Sequence, residues 1–192
     1  MTRRTRLTLG CTGLALLALA LSPAMQHFGQ HFFAGHMVQH ELLLVVATPL
    51  LAGARLETLV LQWLPVRTSQ GIVHLVRSVP SPVRTVLANP IVAAAIAAVV
   101  LWLWHLPEIY AGALHDVRRH LLQHAMFIGS GWWFWATVMP ALDRRHRVGP
   151  ALLALFLSTI HTSLLGAWLA LGDGVVALSH IGPRPWRLTA LE

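Results

Sequence analysis

Residues 86–106 read VLANPIVAAAIAAVVLWLWHL, and this stretch decides the fold. It contains no Asp, Glu, Lys or Arg, and it is as long as the roughly 20 helical residues that cross a hydrocarbon core of about 30 Å. Four more runs share its character: Leu7 to Met25, Met37 to Ala54, Leu121 to Leu142 and Ala151 to Leu171, with Glu41 their only charged side chain. The expected fold class is therefore all-α, a polytopic transmembrane helical bundle of about five spans forming one domain over residues 1–192. Leu7 to Met25 has a competing reading, because Arg3, Arg4 and Arg6 lead into LTLGCTGLALLALAL at 7–21 and then Ser22, Pro23 and Ala24, as in a secretory signal with a cleavage site. A retained span is the expectation adopted, and either choice leaves His27 on the far side of the membrane.

Composition agrees. Of 192 residues, 56% are hydrophobic and seven are acidic. All 14 basic residues are arginine, giving a net charge of +7. A nucleic-acid partner is not expected, because the arginines sit between apolar runs and not along one solvated face. The single cysteine, Cys11, excludes an intrachain disulfide framework and a cysteine-based zinc site.

Basic residues are favoured in cytoplasmic loops, so arginine counts orient the chain. With the amino terminus inside, the inner segments hold Arg3, Arg4 and Arg6, then Arg55, Arg67, Arg77 and Arg84, then Arg144, Arg145 and Arg147. The outer segments keep Arg118, Arg119, Arg184 and Arg187. This places the N-terminus in the cytoplasm and the C-terminus in the periplasm. Within the inner loop, Leu56, Leu59, Val60, Trp63 and Leu64 recur at helical spacing, which fits a helix lying along the interface or a short packed connector. Pro80 and Pro82 end any helix ahead of the third span.

On this topology nine of the twelve histidines fall at or near the outer side: His27, His31, His36, His40, His105, His115, His120, His124 and His180. His74 and His146 lie inside, and His161 is near the middle of the fifth span. His27 with His31, His36 with His40, and His120 with His124 are each four apart, which stacks two rings on one helical face. Imidazole ligates copper, zinc, iron and nickel, so two such helices offer four ligands. The first pair lies outside the spans and reads as ordinary polar histidine. The other two pairs open the outer turns of spans and read as a metal or cofactor site. Glu41 lies about one turn into the membrane, where a charge is costly. It should face protein, water or a cation. His161 is either a packing residue or a ligand from a third helix. Met25, Met37 and Met126 carry thioethers that suit cuprous copper, although methionine in a bundle is usually core filler. Trp102, Trp104, Trp132, Trp133 and Trp135 read as packing or interfacial anchors.

HMVQH at 36–40 followed by TPLLAG, WHLPEIYAGAL at 104–114 and HLLQHAMFIGSGWWFW at 120–135 occur in an order that resembles the CtaG-type polytopic membrane proteins required for cytochrome c oxidase assembly. The resemblance runs from about residue 14 to 192. It implies a multi-pass protein of the bacterial cytoplasmic (inner) membrane that is not an enzyme and handles copper, Cu(I) or Cu(II), for insertion at the outer side of a haem–copper oxidase. The implied partners are cytochrome c oxidase subunits, the lipid bilayer and a periplasmic copper donor. The expected metal ligands are His36, His40, His120 and His124, with His105 lending a ligand or an orienting hydrogen bond. Two departures stand out. Longer members carry more spans and continue past the pattern formed here by Trp186, Leu188, Thr189, Leu191 and Glu192, so the chain reads as short or truncated, and Glu41 stands where an apolar residue is common.

The alternative is a haem b protein with axial histidines. A di-iron hydroxylase is disfavoured because H-x-x-H-H is absent, and a zinc protease because H-E-x-x-H is absent. Ser158, Thr159 and Ser163 lie near His161, but their hydroxyls are better read as bonding back to their own helix than as nucleophiles.

Overall fold

The computed structural model describes residues 1–31 and 33–171. Among them there are helices and no strands. Thr2 caps α1 (Arg3–Ala20) by accepting the Thr5 N–H at 3.2 Å. The chain then bends by 51° at Ser22 and Pro23 into α2 (Pro23–His31). Next comes α3 (Phe33–Glu41), which runs through a widened π-helical segment, Leu42–Ala47, into α4 (Thr48–Gly53).

Pro49 explains how the widened turn is completed. A π-helix bonds each N–H to the carbonyl five residues back, and proline has no N–H to offer Leu44. That carbonyl instead accepts the Thr48 hydroxyl at 2.7 Å and the Trp135 indole N–H at 3.0 Å. The widened turn is thus tied to a helix nearly a hundred residues away in sequence.

The segment after Arg55, which adopts a left-handed conformation (φ 53°), forms three short helices: α5 (Leu56–Trp63), α6 (Val66–Ser78) and α7 (Ser81–Leu87). Pro65 and Pro80 stand at the starts of the last two, where a missing N–H costs nothing. None of the three buries a residue, and Trp63 is 83% exposed, as a segment lying along an interface would show. Asn89 caps α8 (Pro90–Trp104) by accepting the Ile91 N–H at 2.9 Å, with Pro90 at the first helical position. Then follow α9 (Pro107–His115), α10 (Val117–Leu142), whose cap Asp116 accepts the Arg118 N–H at 2.8 Å, and α11 (Val148–Leu171).

The α1 helix packs antiparallel to the segment from α3 to α4. At one end of α1, Arg6 donates to the Ala54 carbonyl at 3.1 Å and to the Thr58 hydroxyl. At its other end, the Ala20 carbonyl accepts the Gln39 amide at 2.7 Å. Gly13 lets the two helices close, since a β-carbon there would sit 2.9 Å from a Leu51 methyl group. The central helix is α10, packed against α4, α8, α9, α11 and the π segment. One apolar core, including Leu101, Trp104, Tyr110, Phe127 and Leu165, lies towards the start of α10, and a second, of Ala94, Phe134, Val138, Ala141, Ala151 and Ala154, lies towards its end.

The expected count of five spans is not reached by length and apolarity. Among the described residues only Val148–Leu169 passes alone as a membrane-crossing helix, rising to four if each bent pair counts as one span. The physical reason is local. Breaks at Ser22 and at Asn89 divide two of the expected runs. Although α10 is 26 residues long, its first turns carry Arg118, Arg119, His120, Gln123 and His124 and lower its apolar character.

Candidate functional site

Four histidines expected from spacing meet at one end of the bundle, and the fifth joins them. On α3, His36 and His40 are one turn apart, and their ring centroids are separated by 4.2 Å. On α10, His120 and His124 repeat the arrangement at 4.3 Å. The two pairs face each other, with 5.7 Å between His36 and His120 and 5.7 Å between His40 and His124. His105, at the C-cap of α8, closes the group at 5.6 Å from His40. The cluster is packed away from the surface: His36, His40, His105 and His124 are each only 2–3% exposed.

Their nitrogens are mostly without partners. His36 Nε2, both ring nitrogens of His40, His120 Nε2 and His124 Nε2 are buried with no hydrogen bond within the protein. Each such group costs roughly 1–3 kcal/mol if nothing compensates. His105 is different, because its Nδ1–H donates to the Leu101 carbonyl at 2.7 Å. That bond fixes the tautomer and leaves Nε2 as the basic nitrogen.

The donor set suits a soft or borderline cation: five neutral imidazoles drawn from three helices. Two imidazoles bound to one tetrahedral ion at about 2.0–2.1 Å would have centroids about 5 Å apart, close to the separations between helices here. As the side chains stand, however, no group of three or more His, Cys, Asp or Glu among the described residues is arranged to hold a metal ion. The rings are at the right separation, and their nitrogens would have to turn inward.

Three neighbours were not singled out from the sequence. Tyr110, on α9, is 2% exposed and meets His36 edge-to-face at 5.3 Å. Burial pushes its phenol above the ordinary range, so it stays protonated. Gln39 and Gln123 are fully buried beside the rings, in the matching stretches HMVQH and HLLQH. Both polar atoms of the Gln123 amide lack a partner. The repeated H-x-x-Q-H was the signal that could have found them.

Other expected residues lie elsewhere. His27 and His115 are exposed, and His180 lies outside the described residues, as do Arg184, Arg187 and the Trp186 to Glu192 pattern. No ring contact among the described residues links His161 to the cluster. Met126 is engaged, its sulfur accepting the Trp104 indole N–H at 3.3 Å. Trp133 likewise bonds the Leu87 carbonyl at 3.0 Å, as a packing anchor would. Thr159 bonds back to the Leu155 carbonyl at 3.0 Å, in keeping with the non-nucleophilic reading.

Fold and site together define an apolar, all-helical membrane protein with a buried polyhistidine centre at one end. The chain belongs to the family described as cytochrome c oxidase caa3 assembly factor (Caa3_CtaG), which it matches over residues 2–192. No curated protein and no solved structure matches it.

Proposed function

We propose that the protein is a multi-pass factor of the bacterial inner membrane that binds copper through His36, His40, His105, His120 and His124 and passes it to cytochrome c oxidase. The observation carrying this reading is the concentration of partnerless ring nitrogens, from helices remote in sequence, in one buried cluster. A bound cation would compensate one lone-pair nitrogen of each ring it binds. Neutral imidazoles without a thiolate bind copper reversibly, which delivery to a recipient requires. The small ring-to-ring separations support a point-like cation over a flat porphyrin.

The topology belongs to the same proposal: five crossings, with the arginine-rich end of the bundle in the cytoplasm and the cluster at the periplasmic rim. There a periplasmic donor loads the site, and oxidase subunits receive the ion. The role is one of holding and handing over, without catalysis.

Copper per chain, measured on purified wild type and on the combined His36→Ala, His40→Ala, His120→Ala, His124→Ala variant, tests the ligand set. Wild type should retain copper and the variant should lose it, and equal loading rejects the assignment. A strong haem band in the visible spectrum of the wild type would favour haem b instead. Oxidase activity in a deletion strain tests the assembly role separately, and should fall.

A further inference from the structure

The five imidazoles of the cluster are unequal in spacing. Rings that share a helix are 4.2 Å and 4.3 Å apart, whereas rings that face each other across helices are 5.6–5.7 Å apart. Two imidazoles on one cuprous ion, at the wide angles of two- or three-coordination, would have centroids about 5.4–6 Å apart. The separations across helices fit that span, and those along a helix fall short of it. The cluster therefore divides into two rungs that bridge α3 and α10: His36 with His120 and, one turn further along both helices, His40 with His124. His105 joins the second rung at 5.6 Å from His40.

The rungs are also unequal in access. His120 lies in the first turn of α10, next to exposed Val117, Arg118 and Arg119, and it is the one member of the five that is partly exposed. Its Nε2 is nevertheless turned into the cluster, buried and without a partner. His40, His105 and His124 are buried, and the cleft that His40 and His105 border on their other side is walled chiefly by apolar side chains, Leu44, Leu101, Phe134 and Leu165 among them, where a charge is costly. A soft cation passes between proteins by ligand exchange, the new ligand binding before the old one leaves. Only the first rung has a ring that a carrier can reach. The second has one more ring, and His105 is already oriented by its bond to the Leu101 carbonyl. Two ions one helical turn apart, held by neutral ligands alone, would repel each other, so the rungs share a single ion.

We infer that the cluster is a two-station ladder for one cuprous ion, with His36 and His120 as the exchange station at the exposed end and His40, His105 and His124 as the holding station behind it. The inference rests on the copper reading above and divides its ligand set by task.

The test uses full-length protein in nanodiscs, loaded with Cu(I) without oxygen. Copper per chain is measured after desalting, nitrogen coordination by X-ray absorption, and release by the colour of the bathocuproine disulfonate complex. Wild type should hold one ion on three nitrogens. His36→Leu combined with His120→Leu, which keeps the volume but removes the reachable ring, should retain a three-nitrogen ion and release it about tenfold more slowly than wild type. His40→Leu combined with His124→Leu should hold its ion more loosely and release it about tenfold faster than wild type. A first variant that releases as fast as wild type overturns the ladder. So does wild type holding two ions, or one ion on four or five nitrogens, and these wild-type measurements decide without any substitution that could disturb folding. Each of those results leaves the copper reading standing, whereas wild type that takes up no copper overturns both.

Discussion

Two glutamines with matching sequence surroundings differ in what their burial does. Gln39 donates to the Ala20 carbonyl and so ties α3 to α1, whereas both polar atoms of the Gln123 amide are without a partner in the protein. A buried hydrogen bond contributes about 1 kcal/mol, and an orphaned polar group replaced by an apolar one of similar shape can be neutral or stabilising. Gln39→Leu should therefore lower the thermal midpoint of the metal-free protein, by an amount corresponding to about 1 kcal/mol, and Gln123→Leu should leave it unchanged or raised. Differential scanning fluorimetry in detergent checks both. At this scale His36, His40, His120 and His124 were legible because a four-residue spacing states which face a ring takes, and His105 because it falls at the outer end of an apolar run. Tyr110 and the two glutamines were not. A polar residue on an outer turn looks alike in sequence whether tertiary packing buries it or leaves it wet.

Among the elements, the widened turn at Leu42–Ala47 was hidden, since LLLVVATPLLAG is apolar throughout apart from Thr48, and no periodicity distinguishes a π turn from an α turn. Its dependence on neighbours is testable. Gly131 lies against it so closely that a β-carbon would sit 3.0 Å from a Leu44 methyl group and 3.2 Å from the Thr48 hydroxyl. Gly131→Val should cost about 1–3 kcal/mol through overpacking. Trp135→Phe, which removes one of the two donors to the Leu44 carbonyl, should cost about 1 kcal/mol. Chemical-denaturation midpoints measure both. The start of α8 was easier to read, because Asn89 followed by Pro90 is a cap and a first helical residue in the order their chemistry demands.

For the whole molecule, the all-helical bundle and the gathering of histidines at one end followed from apolar run length and arginine placement. The number of crossings did not, because bends at Ser22 and Asn89 decide whether neighbouring helices form one span or two pieces. Orientation is open to direct measurement. In a Cys11→Ala background, single cysteines replace His115 or His146, both exposed. A membrane-impermeant maleimide added to intact spheroplasts should label position 115 and reach position 146 only after lysis, and the reverse pattern would invert the proposed topology.

The imidazole cluster draws its members from α3, α8 and α10, and this has a consequence for biogenesis. Rings from residue 36 cannot meet those from residue 124 until translation has passed α10 and that helix has docked. On the copper reading proposed above, a nascent chain presents isolated H-x-x-x-H pairs, weak traps at best, and high affinity arises only once α10 has docked. Capture of the ion would then report that folding is complete, so an immature copy has little to withhold from the oxidase.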